Sequence, residues 1–295
     1  MKVNKLLVLL LAICCIIMVG CKKENGNSNG NNNESYPQAP KIVSTQETIY
    51  NDGVESWIVV EASFEDESKM YFVLTSPNTA AVVDRHIFYG QDSNEGYIYR
   101  GDVVIPSEIK HLGVVYSITE TLGSNKFPTF GRSNALRSVV CPNTMTRICA
   151  WTFCGCKGLS SVILSESLKE IGEYAFADSG LVSINIPNTV VTIDTYDEVH
   201  PYYPLYALSM AFEGCNDLSY ATIGSSVTKL FGTFNGCSKL TRVTCLADNP
   251  PIISSLSGIP CLPDGLEIIY VSNQSVEAYK TADGWSQYAD IIVGI

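Results

Sequence analysis

Leu159–Phe176 reads L-S-S-V-I-L-S-E-S-L-K-E-I-G-E-Y-A-F, and the phrase recurs. It returns as Leu136–Phe153, Leu181–Phe212 and Leu218–Phe234, and a fifth copy begins at Leu240 and breaks off at Asn249-Pro250-Pro251. The starting leucines lie 23, 22, 37 and 22 residues apart, and the 37 is one period plus an insertion. A period of roughly 20–29 residues means one supersecondary unit stacked on copies of itself, a solenoid.

The spacing inside one copy sets its geometry. Val162 and Leu164 alternate with Ser161 and Ile163, so a short strand turns one face inward. Leu168 and Ile171 follow at wider spacing, then Ala175-Phe176; Ile184, Ile186, Val190 and Ile193 hold the same offsets in the next copy. One coil cannot bury that face alone, so coils stack at a strand separation of about 4.8 Å. Phe127, Phe153, Phe176, Phe212 and Phe234 are expected to form an internal aromatic ladder, with Pro106, Pro142 and Pro187 closing their strands.

The chain has 295 residues and a formal charge of -11. Without residues 1–20, which carry Lys2 and Lys5 and no acids, 30 acids face 17 bases, about -13. That excess weighs against nucleic acid and anionic lipid as partners, which need a basic footprint, and suits solubility outside the cell.

Met1–Gly20 has a basic start, the apolar run Leu6–Val19 and a small residue before Cys21. The run is too short to span a membrane as a helix and has the shape of a secretory signal. Met18-Val19-Gly20-Cys21 resembles the lipobox of bacterial lipoproteins, which implies lipidation at Cys21. Residues 21–40, Asn/Gly/Ser-rich with almost no apolar content, read as a disordered tether. Residues 41–98 lack the period and offer β-rich runs at Trp57–Glu61, Met70–Thr75 and Ala80–Val83. They read as a small β-rich N-terminal cap over the first coil, or as a short separate sandwich. Residues 99–295 are the repeat solenoid with its C-terminal closure, where Ser275 is placed to N-cap a short helix over Val276–Thr281 and Trp285 to seal the last coil.

The copies open on L-x-x-V/I-x-L/I, the leucine-rich-repeat signature. Tyr99–Pro106, Tyr116–Thr119, Leu122–Phe127, the Ala-Phe-x-Gly-Cys-x-x-Leu turn at Ala211–Leu218, and the ending Ala247–Pro251, Ile269–Val271, Ala278–Lys280 and Trp285 together resemble BspA-like leucine-rich-repeat proteins. The resemblance implies a β-rich solenoid poor in helix, right-handed, and a location at the bacterial cell envelope, on the outer membrane or cell surface. It implies adhesion to a host or neighbouring-cell protein; a glycan-binding component or a passive spacer are the alternatives.

Chemistry finds few candidates. Cys156, Cys215 and Cys237 share one repeat offset, and Cys141 and Cys245 share another, so they read as packing positions rather than zinc ligands. A stray disulfide stays open in an oxidising compartment. Ser226–Lys229 and Ser107–Lys110 match Ser-x-x-Lys without the partner motifs of that enzyme class. No P-loop, G-x-S-x-G or H-E-x-x-H occurs, and the histidines are His86, His111 and His200. The expectation is a binding protein, with no enzyme activity, cofactor or metal.

Two surfaces can bind. The outward strand positions form the columns Ser138, Ser161, Ser183, Tyr220, Arg242 and Val140, Ile163, Asn185, Thr222, Thr244. The insertion Asp194–Met210 carries Tyr196, His200, Tyr202, Tyr203 and Tyr206, and tyrosine gives contact area at low entropic cost on loops held by rigid scaffolds. The insertion could instead pack on its own coil.

Overall fold

The computed structural model describes residues 37–51, 56–84, 99–123, 128–195, 210–254 and 261–295. A typical coil makes two short strands and a turn that carries a phenylalanine, and beyond Phe234 the turn position passes to Leu262. In the coil opened by Leu159, β10 (Ser161–Ile163) leads into a turn closed by Leu168 N–H donating to the Ser165 carbonyl at 3.0 Å; β11 (Glu170–Gly172) follows. Leu159, Leu164, Leu168, Ile171 and Phe176 are buried, and Val162 is half-buried against the same core.

Stacking turns these strands into parallel sheets. The first strand of each coil builds one column: β5 (Gly101–Val104), β8 (Leu136–Val140) and β10, then β12 (Ser183–Asn185), β14 (Tyr220–Ile223), β16 (Arg242–Cys245), β18 (Ile268–Val271) and β19 (Ile292–Gly294). The second strand builds another: β7 (Val114–Leu122), β9 (Arg147–Ile148), β11 and β13 (Thr192–Thr195), continued by the pair β15 (Lys229–Phe231) and β17 (Ile252–Ser254). Registers follow the repeat offsets, with Val162 opposite Val139 and Ala221 opposite both Ile184 and Val243.

The aromatic ladder differs from expectation at its first rung. Phe130, not Phe127, stacks on Phe153 at 4.9 Å between ring centroids; Phe127 lies outside the described residues. Phe153, Phe176, Phe212 and Phe234 continue at 5.1, 5.1 and 5.3 Å, and Tyr99 covers the open face of Phe130 at 4.5 Å. The offsets explain the switch. Phe130 stands three residues before Ser133 and six before Leu136, as Phe153 stands before Cys156 and Leu159, so the repeat offsets select Phe130 and not Phe127. Burying each ring contributes about 1.5–3 kcal/mol.

At the N-terminal end β1 (Ile42–Asn51), β2 (Ser56–Phe64), β3 (Lys69–Leu74) and β4 (Thr79–Val83) form an antiparallel meander, and β4 pairs parallel with β7. Val60, Phe64, Phe72 and Val82 join the core of the coils without a break. β6 (Glu108–His111) turns into β7 through Leu112 and Gly113, both at positive φ, 48° and 84°, the conformation two-residue hairpins favour. His111, 5% exposed, ties this hairpin to β1 through Thr45 Oγ1 at 3.1 Å and Glu47 Oε2 at 3.0 Å.

At the other end α1 (Val276–Thr281) packs across the last coil. Tyr279 donates its hydroxyl to the Ala247 carbonyl at 2.9 Å, and Trp285 donates Nε1–H to the Pro251 carbonyl at 2.7 Å. Ser275 holds the N-cap position, but its hydroxyl pairs with that of Ser272 at 3.0 Å and does not cap the helix.

Candidate functional site

The outward face of the first-strand column is the broadest regular surface. Ser161, Ser183, Asn185 and Arg242 are exposed on it, and Tyr220 and Thr222 are half-buried. Thr222 donates to the Tyr220 hydroxyl oxygen at 2.8 Å, and the Arg242 guanidinium lies 5.9 Å from the Tyr220 ring centre. Hydrogen bonds from Thr222 and Thr244 hold the Tyr220 phenol below its ordinary value. Two outward positions are covered, contrary to the sequence reading. Thr244 is 6% exposed because the Tyr220 hydroxyl reaches it at 3.4 Å, and Val140 is 7% exposed between its register partners Val104 and Ile163. Arg137 and Ser138 both donate to the Asp102 carboxylate, at 2.7 and 2.8 Å, extending the polar column into β5.

Of the predicted binding residues the structure therefore places Tyr220. Tyr196, His200, Tyr202, Tyr203 and Tyr206 lie outside the described residues, as does Cys21. The described ends of the insertion are Thr195, at the close of β13, and Met210, two residues before the ladder residue Phe212.

Sequence reasoning passed over a second feature, on the flank that carries the phenylalanine turns. A groove of about 430 Å³ opens there, lined among others by Trp151, Tyr174, Asp178, Glu213, Asn216 and Asn235. The repeat places them. Trp151 and Tyr174 each stand two residues before a ladder phenylalanine, so stacking brings their rings to 4.4 Å at 28°. Glu213 and Asn235 each stand one residue after a ladder phenylalanine and meet at 3.5 Å. Burial, then the charge of Asp178, pushes the Glu213 carboxyl above its usual range. The signal was in the sequence: aromatic residues at one repeated offset beside acids and amides at another.

Backbone strain marks the same place. Trp151, Tyr174 and Asp178 have φ of 62°, 51° and 55°. That left-handed region costs an ordinary L-residue about 1–2 kcal/mol. Glycine holds these offsets in several other coils: Gly232 matches Trp151 and Tyr174, and Gly155, Gly214 and Gly236 match Asp178, whereas Arg132 takes the Asp178 offset in the first coil at φ 58°.

The thiols have a structural task. Burial pushes Cys141 and Cys156 up to about 12 and half-buried Cys154 to about 11, away from the thiolate range in which cysteine attacks or ligates. Among the described residues none of the eight cysteines is joined to another in a disulfide. Among the described residues no cluster of three or more His, Cys, Asp or Glu is arranged to hold a metal, and no helix is long and apolar enough to cross a membrane.

Residues 122–197 and 206–255 match the family profile of the BspA type leucine rich repeat region, in six copies. No curated protein matches the chain. Solved structures that resemble it include a leucine-rich repeat protein from Bacteroides ovatus (19% identity, 69% of this chain and 54% of that one, TM-score 0.37). The pneumococcal vaccine antigen PcpA is similar at 14% identity over 81% of this chain and 52% of that one, with a TM-score of 0.42. The T. pallidum leucine rich repeat protein matches at 17% identity over 78% and 91%, with a TM-score of 0.37. The chain thus spans about half the length of the Bacteroides ovatus and pneumococcal proteins. The matched family is a repeat scaffold and points to no catalytic class. With its recurrent two-strand coils, its leucine and phenylalanine offsets and this match, the chain carries a BspA-type leucine-rich-repeat region over residues 122–197 and 206–255.

Proposed function

We propose that the chain is a cell-envelope lipoprotein, anchored through a lipid on Cys21 and held off the membrane by residues 21–40, that binds a protein on a host or neighbouring cell. The solenoid winds right-handed, the strands over residues 41–98 act as its N-terminal cap, and binding is carried by the outward strand column and by the insertion Asp194–Met210. The observation that carries this reading is the Tyr220–Arg242 pair on an open parallel sheet. Tyrosine and arginine are enriched in protein hot spots, and Tyr220 is held in place by Thr222 and Thr244, so little of its side-chain entropy is lost on binding.

Attachment of the purified chain to host cells and to an array of matrix proteins tests it. Tyr220→Ala and Arg242→Ala are each expected to weaken attachment about tenfold or more, the effect of a hot spot worth over about 1.4 kcal/mol. Replacing Asp194–Met210 with Gly-Glu-Tyr, the connection the preceding coil uses, is expected to remove most of it. Full attachment by all three folded variants overturns the proposal. Cys21→Ala is expected to release the protein from the membrane fraction, and retention after alkaline washing would refute the anchor.

A further inference from the structure

The groove beside the phenylalanine turns crosses four consecutive coils, from Trp151 and Cys154 through Tyr174 and Asp178 to Glu213, Asn235 and Gly236. The ladder rings beneath it step by 5.1, 5.1 and 5.3 Å. The groove's side chains also bridge neighbouring coils, but the coil can be built without them. At the Trp151 and Tyr174 offset the repeat can use Gly232 at φ 65°, and at the Asp178 offset it uses Gly155, Gly214 and Gly236 at φ 71°, 67° and 72°. Arg132, at φ 58°, shows that the Asp178 offset takes a large side chain away from the groove as well, but Trp151, Tyr174 and Asp178 gather on one groove, and that clustering points to a use outside the fold.

Composition selects the ligand. One wall is a stacked indole–phenol pair, half-buried, which offers apolar ring surface. The remainder presents the carboxyls of Asp178 and Glu213 and the carboxamides of Asn216 and Asn235, with exposed backbone at Gly236. Carboxylates accept, and carboxamides both accept and donate. No lysine or arginine is among the lining residues, so an anion meets only repulsion. A simple cation would compete with the Asn235 amide, which donates to Glu213 at 3.5 Å, and could make no use of carboxamide N–H groups. A ring compound with vicinal hydroxyls meets every group: each hydroxyl donates and accepts, and the C–H faces of the ring lie against the aromatic wall.

We infer that this groove is a binding site for a neutral carbohydrate chain, with Trp151 and Tyr174 as the apolar platform and Asp178, Glu213, Asn216 and Asn235 as the hydroxyl-binding groups. The site lies apart from the Tyr220–Arg242 face and goes beyond the protein-partner reading, so either can fail without the other. The groove draws on four coils, and an oligosaccharide of several residues is therefore the fitting probe rather than a monosaccharide.

Calorimetric titration of the lipid-free mature chain with cellohexaose, xylohexaose and mannohexaose, and in parallel with a hexa-arginine peptide, tests the assignment. At least one neutral hexasaccharide is expected to bind saturably. Trp151→Gly and Asp178→Gly are each expected to weaken it tenfold or more, and Tyr220→Ala to leave it unchanged. Both glycine variants restore a residue the repeat already accepts at that offset, so the fold should survive, which a melting curve checks. If either melts early, Glu213→Gln keeps the shape, removes one carboxylate and is expected to weaken binding by the same measure. The inference is overturned if none of the three hexasaccharides binds, if only the arginine peptide binds, or if folded variants lose less than tenfold.

Discussion

Cys215 donates its thiol to the carbonyl oxygen of Phe176 at 3.0 Å, tying one coil to the preceding one inside the core. Cys156 does the same to Phe130 at 2.9 Å and Cys237 to Phe212 at 3.1 Å. Ser133 and Ser179 hold this offset in the other coils, and both are buried. The position takes a small residue that can donate, which is why cysteine and serine alternate there. Reading these cysteines as small apolar fillers accounts for their burial and misses the donor.

Cys215→Ser is therefore expected to lie within about 1 kcal/mol of the parent, since serine keeps the donor. Cys215→Val removes it from a buried site and is expected to cost about 1–3 kcal/mol. Urea unfolding monitored by circular dichroism separates the two. Equal losses would mean that the thiol–carbonyl contact contributes nothing.

The buried thiols also set an alkaline limit. Cys141 and Cys156 are raised from near 9 to about 12 by burial, so the folded state keeps protons that the unfolded chain releases above pH 9. A group raised in the fold contributes fully below its unfolded value and loses that contribution as pH climbs to the folded value. Stability is expected to be flat with respect to these groups below about pH 8, then to fall by up to about 1.4 kcal/mol per pH unit for each thiol between about 9 and 12. Burial also raises Tyr99 and Tyr279, which steepens the fall above pH 10. Denaturation midpoints between pH 7 and 11 check it, and a flat profile would contradict the burial of these groups.

The coil was legible because its period recurs and its inward offsets are mostly apolar. Leu164, Leu168, Ile184 and Val190 are buried as the spacing requires. The first rung was misassigned because Phe127 and Phe130 both follow Leu122 closely; the distance to the next leucine, six residues from Phe130 to Leu136 as from Phe153 to Leu159, distinguishes them and agrees with the stacking on Phe153. Outwardness was legible from alternation, whereas cover was not. Thr244 is shut off by the hydroxyl of Tyr220, a residue in the neighbouring coil that strand alternation alone cannot bring into view. The groove was missed for a related reason. Its walls join offsets on both sides of the phenylalanine across four coils, and each offset alone looks like a variable turn residue.

Ring position along the stack should be measurable. Phe176 has stacked neighbours on both sides, Phe153 and Phe212, while Phe234 has a stacked phenylalanine on one side. Phe176→Ala is expected to cost about 3–5 kcal/mol for lost transfer and cavity. Phe234→Ala is expected to cost about 1 kcal/mol less, the contribution of one aromatic pair. Urea midpoints at constant m-value provide the comparison, and equal costs would show that ring–ring contact adds nothing beyond burial.

Gly214 and Asp178 make the sharpest test of the strained turns. Gly214 sits at φ 67°, and a Cβ built there would lie 2.5 Å from Asp178 Oδ1. Gly214→Ala should therefore meet two penalties, the left-handed backbone at about 1–2 kcal/mol and the contact with the carboxylate. Asp178→Gly removes the second and, because Asp178 is itself at φ 55°, relieves strain of its own. Glycine adds freedom to the unfolded chain, which offsets part of that relief, so the single variant is expected to fall between unchanged and about 1 kcal/mol more stable. In the Asp178→Gly background Gly214→Ala is expected to cost at least about 0.5 kcal/mol less than in the parent, the coupling expected of residues in contact. A double-mutant cycle by urea unfolding gives the number. Strict additivity would mean that the carboxylate swings away from the new methyl at no cost. A destabilising Asp178→Gly would mean that the aspartate holds the coil together, and its retention where other coils have glycine would then need no ligand to explain it.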